Sequence, residues 1–343
     1  MRDHEVIQLT LWRLREFLRE PEALFWIFAF PLLLAIALGL AFKNQGEEII
    51  RIGVVSNDGD LAIFETLSDA PALEPVAGDY ESLYQELRTG RLVLLVTPGD
   101  PVTYTYDSTR AEAHMARLRT DDALQSAAGR TNPARVRDAL IAERGSRYID
   151  FLIPGLLGLN IMGTGMWGVG FGIVKDRMNK LLKRLLASPM RRRHYLLAHM
   201  LSRMSFLIIE VTGILAFGAL VFDVPIRGSL LLIAVISILG ALAFAGLGLL
   251  VGSRQKTVEG VSGLMNLIMV PMWIGSGVFF AYTNFPEAIH PFLRMLPLTA
   301  LNDSLRAVML EGVGLAAIAV PLAIMAGWTV ISFGLALKLF RWE

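Results

Sequence analysis

Residues 229–252, SLLLIAVISILGALAFAGLGLLVG, run for 24 positions without a charged side chain. As a helix this run rises about 36 Å at 1.5 Å per residue, more than the roughly 30 Å of hydrocarbon in a bilayer. A helix apolar on every side needs lipid or a large core around it. Five further stretches are of the same kind, at 23–42, 149–173, 204–222, 261–281 and 315–339. Pro271, Gly275 and Gly277 interrupt the run at 261–281. Such breaks are tolerated where neighbouring helices satisfy the freed backbone. Composition agrees: 54% of residues are hydrophobic, 18% are charged, and mean hydropathy is +0.52. Soluble domains carry about 25% charged residues.

The first stretch reads as an uncleaved span. A signal peptide has a short basic n-region, whereas this approach contains Asp3, Glu5, Glu16, Glu20 and Glu22. Residues 1–22 place Val6, Ile7, Leu9, Leu11, Trp12, Leu14, Phe17 and Leu18 near helical spacing among charges. This is the pattern of an amphipathic helix lying at the membrane interface. Lys and Arg in short loops set orientation. Seventeen of them fall on one side, in the N-terminal approach, the loops 174–203 and 253–260, and the C-terminus; Arg227, Arg294 and Arg306 fall on the other. Both termini are therefore expected in the cytoplasm of a multi-pass inner (plasma) membrane protein.

Residues 43–148 form a polar insert on the outside. Apparent strands at 51–56, 91–98 and 102–108 and apparent helices around 60–69, 79–90, 110–128 and 133–147 give the order β-α-α-β-β-α-α. Asp79 is placed to cap a helix that Gly90 ends. Residues 284–312 are too polar for a span and too apolar for a loop. Asn284 and Pro286 can open one helix, and Pro297 divides the stretch into two pieces of about three turns. Neither piece can cross the bilayer, so a re-entrant pair is expected. The fold class is thus an α-helical polytopic membrane protein. It has six transmembrane helices, an extracytoplasmic re-entrant helix pair, and an α/β ectodomain inserted between helices 1 and 2.

Catalytic and cofactor signatures are missing from the sequence. It contains no Cys and no G-x-x-x-x-G-K-[ST], H-E-x-x-H or G-x-S-x-G motif, and its five His are scattered. No catalytic, cofactor-binding or metal residue is assigned. GTGMWG at 163–168 matches a dinucleotide fingerprint only in form. Inside a span it reads as close helix packing, with Gly168 and Gly172 extending the small face. Asn302-Asp303-Ser304 has the form of a glycosylation acceptor. Net charge of +1 gives no reason to expect a nucleic-acid partner. Glu210 is the carboxylate well inside an apolar run. It is either a functional group or the partner of Arg203 or another basic residue near the inner interface. Asp303 and Arg306, three apart, can pair on one helix face.

Four stretches together resemble the transmembrane subunit of an ABC-2 type ABC exporter. These are YIDFLIPGLLGLNIM at 148–162, KDRMNKLLKRLLASPMRRRHYLLAHMLSR at 175–203, SGVFFAYTNFPEAIHPFLRMLPLT at 276–299 and LRAVMLEG at 305–312. The insert between the first two spans resembles the subgroup with an ectodomain there. Two departures stand out: Lys180 occupies a place where many relatives carry Gly, and Ala198-His199 replaces a usual Gly-Lys. The resemblance implies that 174–203 is a cytoplasmic coupling segment, with Asp176, Arg177, Leu181, Leu182, Leu185, Leu186, Ser188 and Pro189 facing the ATPase. It implies that Asn284, Phe285, Pro286, Glu287, Pro297, Leu298 and Arg306 belong to re-entrant or gating helices. It also implies two separate ATPase subunits that bind ATP and Mg, a second copy or paralogue of the permease, and the lipid bilayer as partners. An extracytoplasmic adaptor is a further partner the insert could meet. No cofactor is expected on this chain, and no enzyme activity of its own. The expected cargo is a lipid, a drug or another amphiphile. The other reading is a non-transporting module that links a cytoplasmic ATPase to an outside partner for assembly or signalling.

Overall fold

A computed structural model describes residues 8, 10–12, 15, 19–41, 49–56, 61–131, 145–180 and 192–339, with the side chains of 192–200, Ala23 and Leu61 excepted. Most of 1–22, the stretch 133–144, and Leu181, Leu182, Leu185, Leu186, Ser188 and Pro189 lie outside the described residues. The chain divides into two compact units, one formed by Asn44–Leu140 and the other by Met1–Lys43 with Ile141–Glu343.

The smaller unit is an α/β sandwich. Its elements are β1 (Ile50–Val55), α2 (Leu61–Ser68), β2 (Leu73–Gly78), α3 (Tyr80–Arg88), β3 (Leu94–Thr97), β4 (Thr103–Thr105) and α4 (Ala111–Ala127). The sheet order is β2-β1-β3-β4, parallel except for the antiparallel β3–β4 pair. β1 and β3 are nearly continuous apolar runs because both faces are covered. Ile52, Val54, Leu94 and Val96 pack with Leu67 and Ala116 of α2 and α4, and Val55 and Leu95 pack with Leu83 of α3. Asp79 caps α3, its Oδ2 accepting the Ser82 backbone N–H at 2.9 Å. That bond holds the Asp79 carboxyl below the ordinary carboxylate range. The strand LEPVAG is added to the expected order, which among the described residues reads β-α-β-α-β-β-α. Pro75 and Gly78 argue against a strand, but β2 is an edge, where a missing N–H is tolerated.

The larger unit is helical. Helix α1 comprises Pro21–Leu24, a π turn Phe25–Ala29 and Phe30–Ala41. Its apolar part, Phe25–Ala41, is shorter than the five helices that, among the described residues, are long and apolar enough to cross a membrane. They are α5 (Tyr148–Met178), α6 (Arg192–Val221), α7 (Leu230–Gly252), α8 (Val258–Gly275) and α11 (Leu315–Leu339). Helix α7, the run with no charge, is central and packs against α5, α6, α11 and the helix α10 described below. The expected fifth span, 261–281, is shifted: α8 contains Pro271 without breaking and ends at Gly275. Gly277 then turns the chain with φ +70°.

The expected pair of three-turn pieces at 284–312 is also corrected. The first part is two 3₁₀ turns, Tyr282–Asn284 and Glu287–Ile289, and a single turn α9 (His290–Arg294). Asn284 ends a turn rather than capping a helix. Pro286 holds Phe285 extended, at φ −83° and ψ 161°, as the residue before proline prefers, and Pro291 follows close behind. The second part is longer, with Pro297–Arg306 continuing through a π turn at Ala307–Glu311 as α10. Its fifteen residues rise about 22 Å, short of a bilayer core.

Candidate functional site

A backbone-binding arginine sits at each end of α5, Arg177 of α5 itself at one and Arg306 of α10 at the other, and a charged pair lies against its middle. At the Met178 end, Arg177 donates from Nη1 to the Gly252 carbonyl at 3.0 Å and to the Gln255 carbonyl, and from Nη2 to the Ser253 carbonyl at 3.0 Å. The last carbonyls of a helix have no partner within it. Those of α7 are met here by a cation at the negative end of its dipole. Arg177 therefore faces into the helices, half-buried, and Asp176 beside it is buried. Lys175 Nζ pairs with Glu20 Oε1 at 2.7 Å, fixing the approach to α1 at the same end.

α5 stops at Asn179, and Lys180 adopts φ +56°, its N–H donating to the Arg177 carbonyl at 3.0 Å. A left-handed residue with a Cβ costs roughly 1–2 kcal/mol. Lys180→Gly is expected to stabilise the chain by about 1 kcal/mol, read as a higher melting temperature in detergent. An unchanged or lower value would show that the lysine side chain compensates for the strain.

Midway along α5, Arg203 Nη1 pairs with Glu210 Oε1 at 3.1 Å, and both side chains are almost fully buried. Arg203 and Glu210 are seven apart, two turns of α6, so they share a face. Of the two roles open to Glu210, the structure shows the pairing with Arg203. Glu210 Oε2 lies 3.1 Å from Thr164 Oγ1, which itself reaches the Asn160 carbonyl at 2.7 Å. Asn160 Nδ2 donates to the Ile27 carbonyl at 3.1 Å. Pro31, four residues beyond Ile27, has no N–H to give that carbonyl. Asn160 supplies the donor, and a polar chain joins α1, α5 and α6.

At the other end of α5, Arg306 donates from Nε to the Phe151 carbonyl at 3.2 Å and from Nη2 to the Gly277 carbonyl. Its guanidinium sits 3.6 Å from the Phe151 ring centroid. The expected Asp303–Arg306 ion pair is not formed within 4 Å. Asn302 is fully buried and donates to the Ser276 carbonyl at 2.9 Å, so Asn302-Asp303-Ser304 is no glycosylation acceptor. Pro297 and Leu298 are buried and Arg306 and Phe285 are half-buried, whereas Asn284, Pro286 and Glu287 are exposed. The seven residues grouped by resemblance thus fall into an inner set on α10 and an outer set before it. Among the described residues no group of three or more His, Asp or Glu could hold a metal.

Of the GTGMWG glycines Gly165 lies where α5 approaches α7, together with Gly170 beyond that stretch. A Cβ on Gly165 would lie 2.8 Å from Phe244 Cβ, and one on Gly170 would lie 2.5 Å from the Gly248 carbonyl oxygen. Gly248 and Gly252 face back on the Met166 and Gly170 carbonyls at 2.7 and 2.8 Å. Gly163 and Gly168 of the GTGMWG stretch are not at this crossing: a Cβ at 168 meets nothing within 4 Å. The cause is the π turn Trp167–Phe171. It adds a residue to the turn, so positions five apart, 165 and 170, come to one side.

Residues 21–338 match the family model for ABC-2 family transporter proteins. The chain belongs to that family. It is a permease subunit and a multi-pass membrane protein. Among similar proteins, the "ABC transporter G family member 20" of Dictyostelium discoideum is 30% identical over 187 residues, 54% of this chain and 25% of that protein. The "Inner membrane transport permease YadH" of Escherichia coli (strain K12) is 24% identical over 47% of this chain and 63% of its own length. The "Probable multidrug ABC transporter permease YbhR" of the same organism is 22% identical over 49% and 46%. The chain spans less than two thirds of each of these relatives.

Proposed function

We propose that this ABC-2 permease exports an amphiphilic substrate, a lipid or a lipid-like drug, using ATP hydrolysed on separate subunits. The observation that carries this is the family match over 21–338, which takes in every apolar helix. With α1 counted as a span, six helices cross the membrane, and the Arg177 end of α5 is cytoplasmic. The Arg306 end and the α/β unit are then extracytoplasmic. The resemblance of one relative to multidrug permeases by name favours an amphiphile.

In this reading two ATPase subunits, holding ATP and Mg, dock on the segment 174–203 of two permease copies or of this chain and a paralogue. Leu181, Leu182, Leu185 and Leu186, written on a helix, make an apolar face of the kind that seats in a partner's groove. The surrounding Lys and Arg hold the segment at the anionic surface, at about 1 kcal/mol each. Leu185→Asp is expected to reduce co-purification of the ATPase subunits and to abolish the permease-dependent part of ATP hydrolysis. If assembly and hydrolysis are both unchanged, the basic stretch is a topological anchor and the docking assignment fails. Docking without any substrate movement in proteoliposomes would instead favour the module that links an ATPase to an outside partner.

A further inference from the structure

Helix α8 is held unevenly. Its buried positions, Val261, Met265, Met269, Met272 and Gly275, form one narrow stripe, and three of the five are methionine. Methionine is unbranched and repacks at little cost, so this stripe is a soft contact along the α5 side. Met265 lies over Gly170 at the α5–α7 crossing. At its start, by contrast, α8 is separated from the end of α7 by five residues. All three carbonyls that Arg177 binds, Gly252, Ser253 and Gln255, lie in that connection or the last residue of α7. Thr257 then caps α8 by accepting the Gly260 N–H at 3.1 Å. A rigid attachment at one end of a softly packed helix makes a pivot. Arg177 lies within the segment 174–203 proposed to meet the ATPase, two residues before Asn179, the residue that follows α5.

We propose that Arg177 is a positioning residue through which movement of the segment after Asn179 reaches the α7–α8 turn and so the start of α8. This rests on the coupling reading above and adds to it the route the displacement takes. The guanidinium is suited to the task because its donors are fixed in one plane and meet three carbonyls at once. A lysine ammonium cannot reproduce that geometry.

The chain has no cysteine, so single spin labels can be placed at Met178→Cys and at Lys256→Cys, both exposed positions. Each is measured in the complex with its ATPase subunits, with and without ATP and vanadate. In the otherwise wild-type chain both labels are expected to respond to nucleotide trapping. In Arg177→Gln the response at 256 is lost while that at 178 persists, and Arg177→Lys retains part of it. A fold defect alone would not separate the two labels in this way. If the 256 label still responds in Arg177→Gln, or is silent beside a responding 178 label in the wild-type chain, the inference is overturned and the coupling reading stands. If neither label responds in the wild-type chain, both fail. Should Arg177→Gln not fold, the doubly labelled wild-type chain decides. Its 178–256 distance is expected to stay constant on trapping, and a change in that distance overturns the proposal.

Discussion

Glu210→Leu alone is expected to destabilise the permease by about 3–5 kcal/mol, because it leaves Arg203 charged and buried without its partner. The double variant Arg203→Met/Glu210→Leu should recover most of that loss, since an apolar pair of similar volume removes both charges from the interior together. Unfolding curves in mixed micelles for the two single variants, the double variant and the parent give the coupling energy directly. A Glu210→Leu chain as stable as the parent would show that the pair contributes nothing to folding. The double variant also separates the roles open to Glu210. If it folds and still supports substrate-dependent ATP hydrolysis, the carboxylate is structural. If it folds and that activity is lost, the ion pair serves transport, since Thr164 keeps the Asn160 carbonyl as a partner in either case.

The second large effect is expected at the α5–α7 crossing. Gly248→Ala puts a methyl against the Met166 carbonyl and Cα, at 2.7 and 2.9 Å. What it meets is backbone, which cannot rotate away as a side chain can. The cost should reach the upper end of the overpacking range, about 3 kcal/mol. Gly168→Ala, only three residues from Gly165 in the GTGMWG stretch, meets nothing within 4 Å. It should be neutral or gain up to about 1 kcal/mol from the lower backbone entropy of the unfolded chain. Melting temperatures of the two variants side by side test this. Equal tolerance at 248 and 168 would mean that the helices do not approach through glycine.

The apolar runs were legible because a long uncharged stretch has few other places to go. The Arg203–Glu210 pair was open to inference from a spacing of two helical turns. Thr164 and Asn160 were not, since nothing local says that α5 faces α6 at that depth. Pro31 announces an orphan carbonyl at Ile27, but not the residue that will satisfy it. Strand β2 was missed because Pro75 lowers strand propensity, and only its place at the sheet edge makes that harmless. Arg177 was read by resemblance as one of the coupling residues that face the ATPase. Its true surroundings are the end of a helix 75 residues further along the chain, and spacing carries no trace of that. The outer half of 284–312 departed from expectation because Pro286 and Pro291 are too close together to leave room for three turns between them.

The three π turns, at Phe25–Ala29, Trp167–Phe171 and Ala307–Glu311, have a consequence for how chains of this kind can change length. Each holds one residue more than an α-helix would need. Loss of a single codon there restores a plain α-helix and leaves everything beyond it facing as before. The same loss a turn or more away, in regular helix, turns everything beyond it by about 100°. In α5 a one-residue gap at Trp167–Phe171 would therefore keep Arg177 on α7, whereas one in the turns before it would swing Arg177 away.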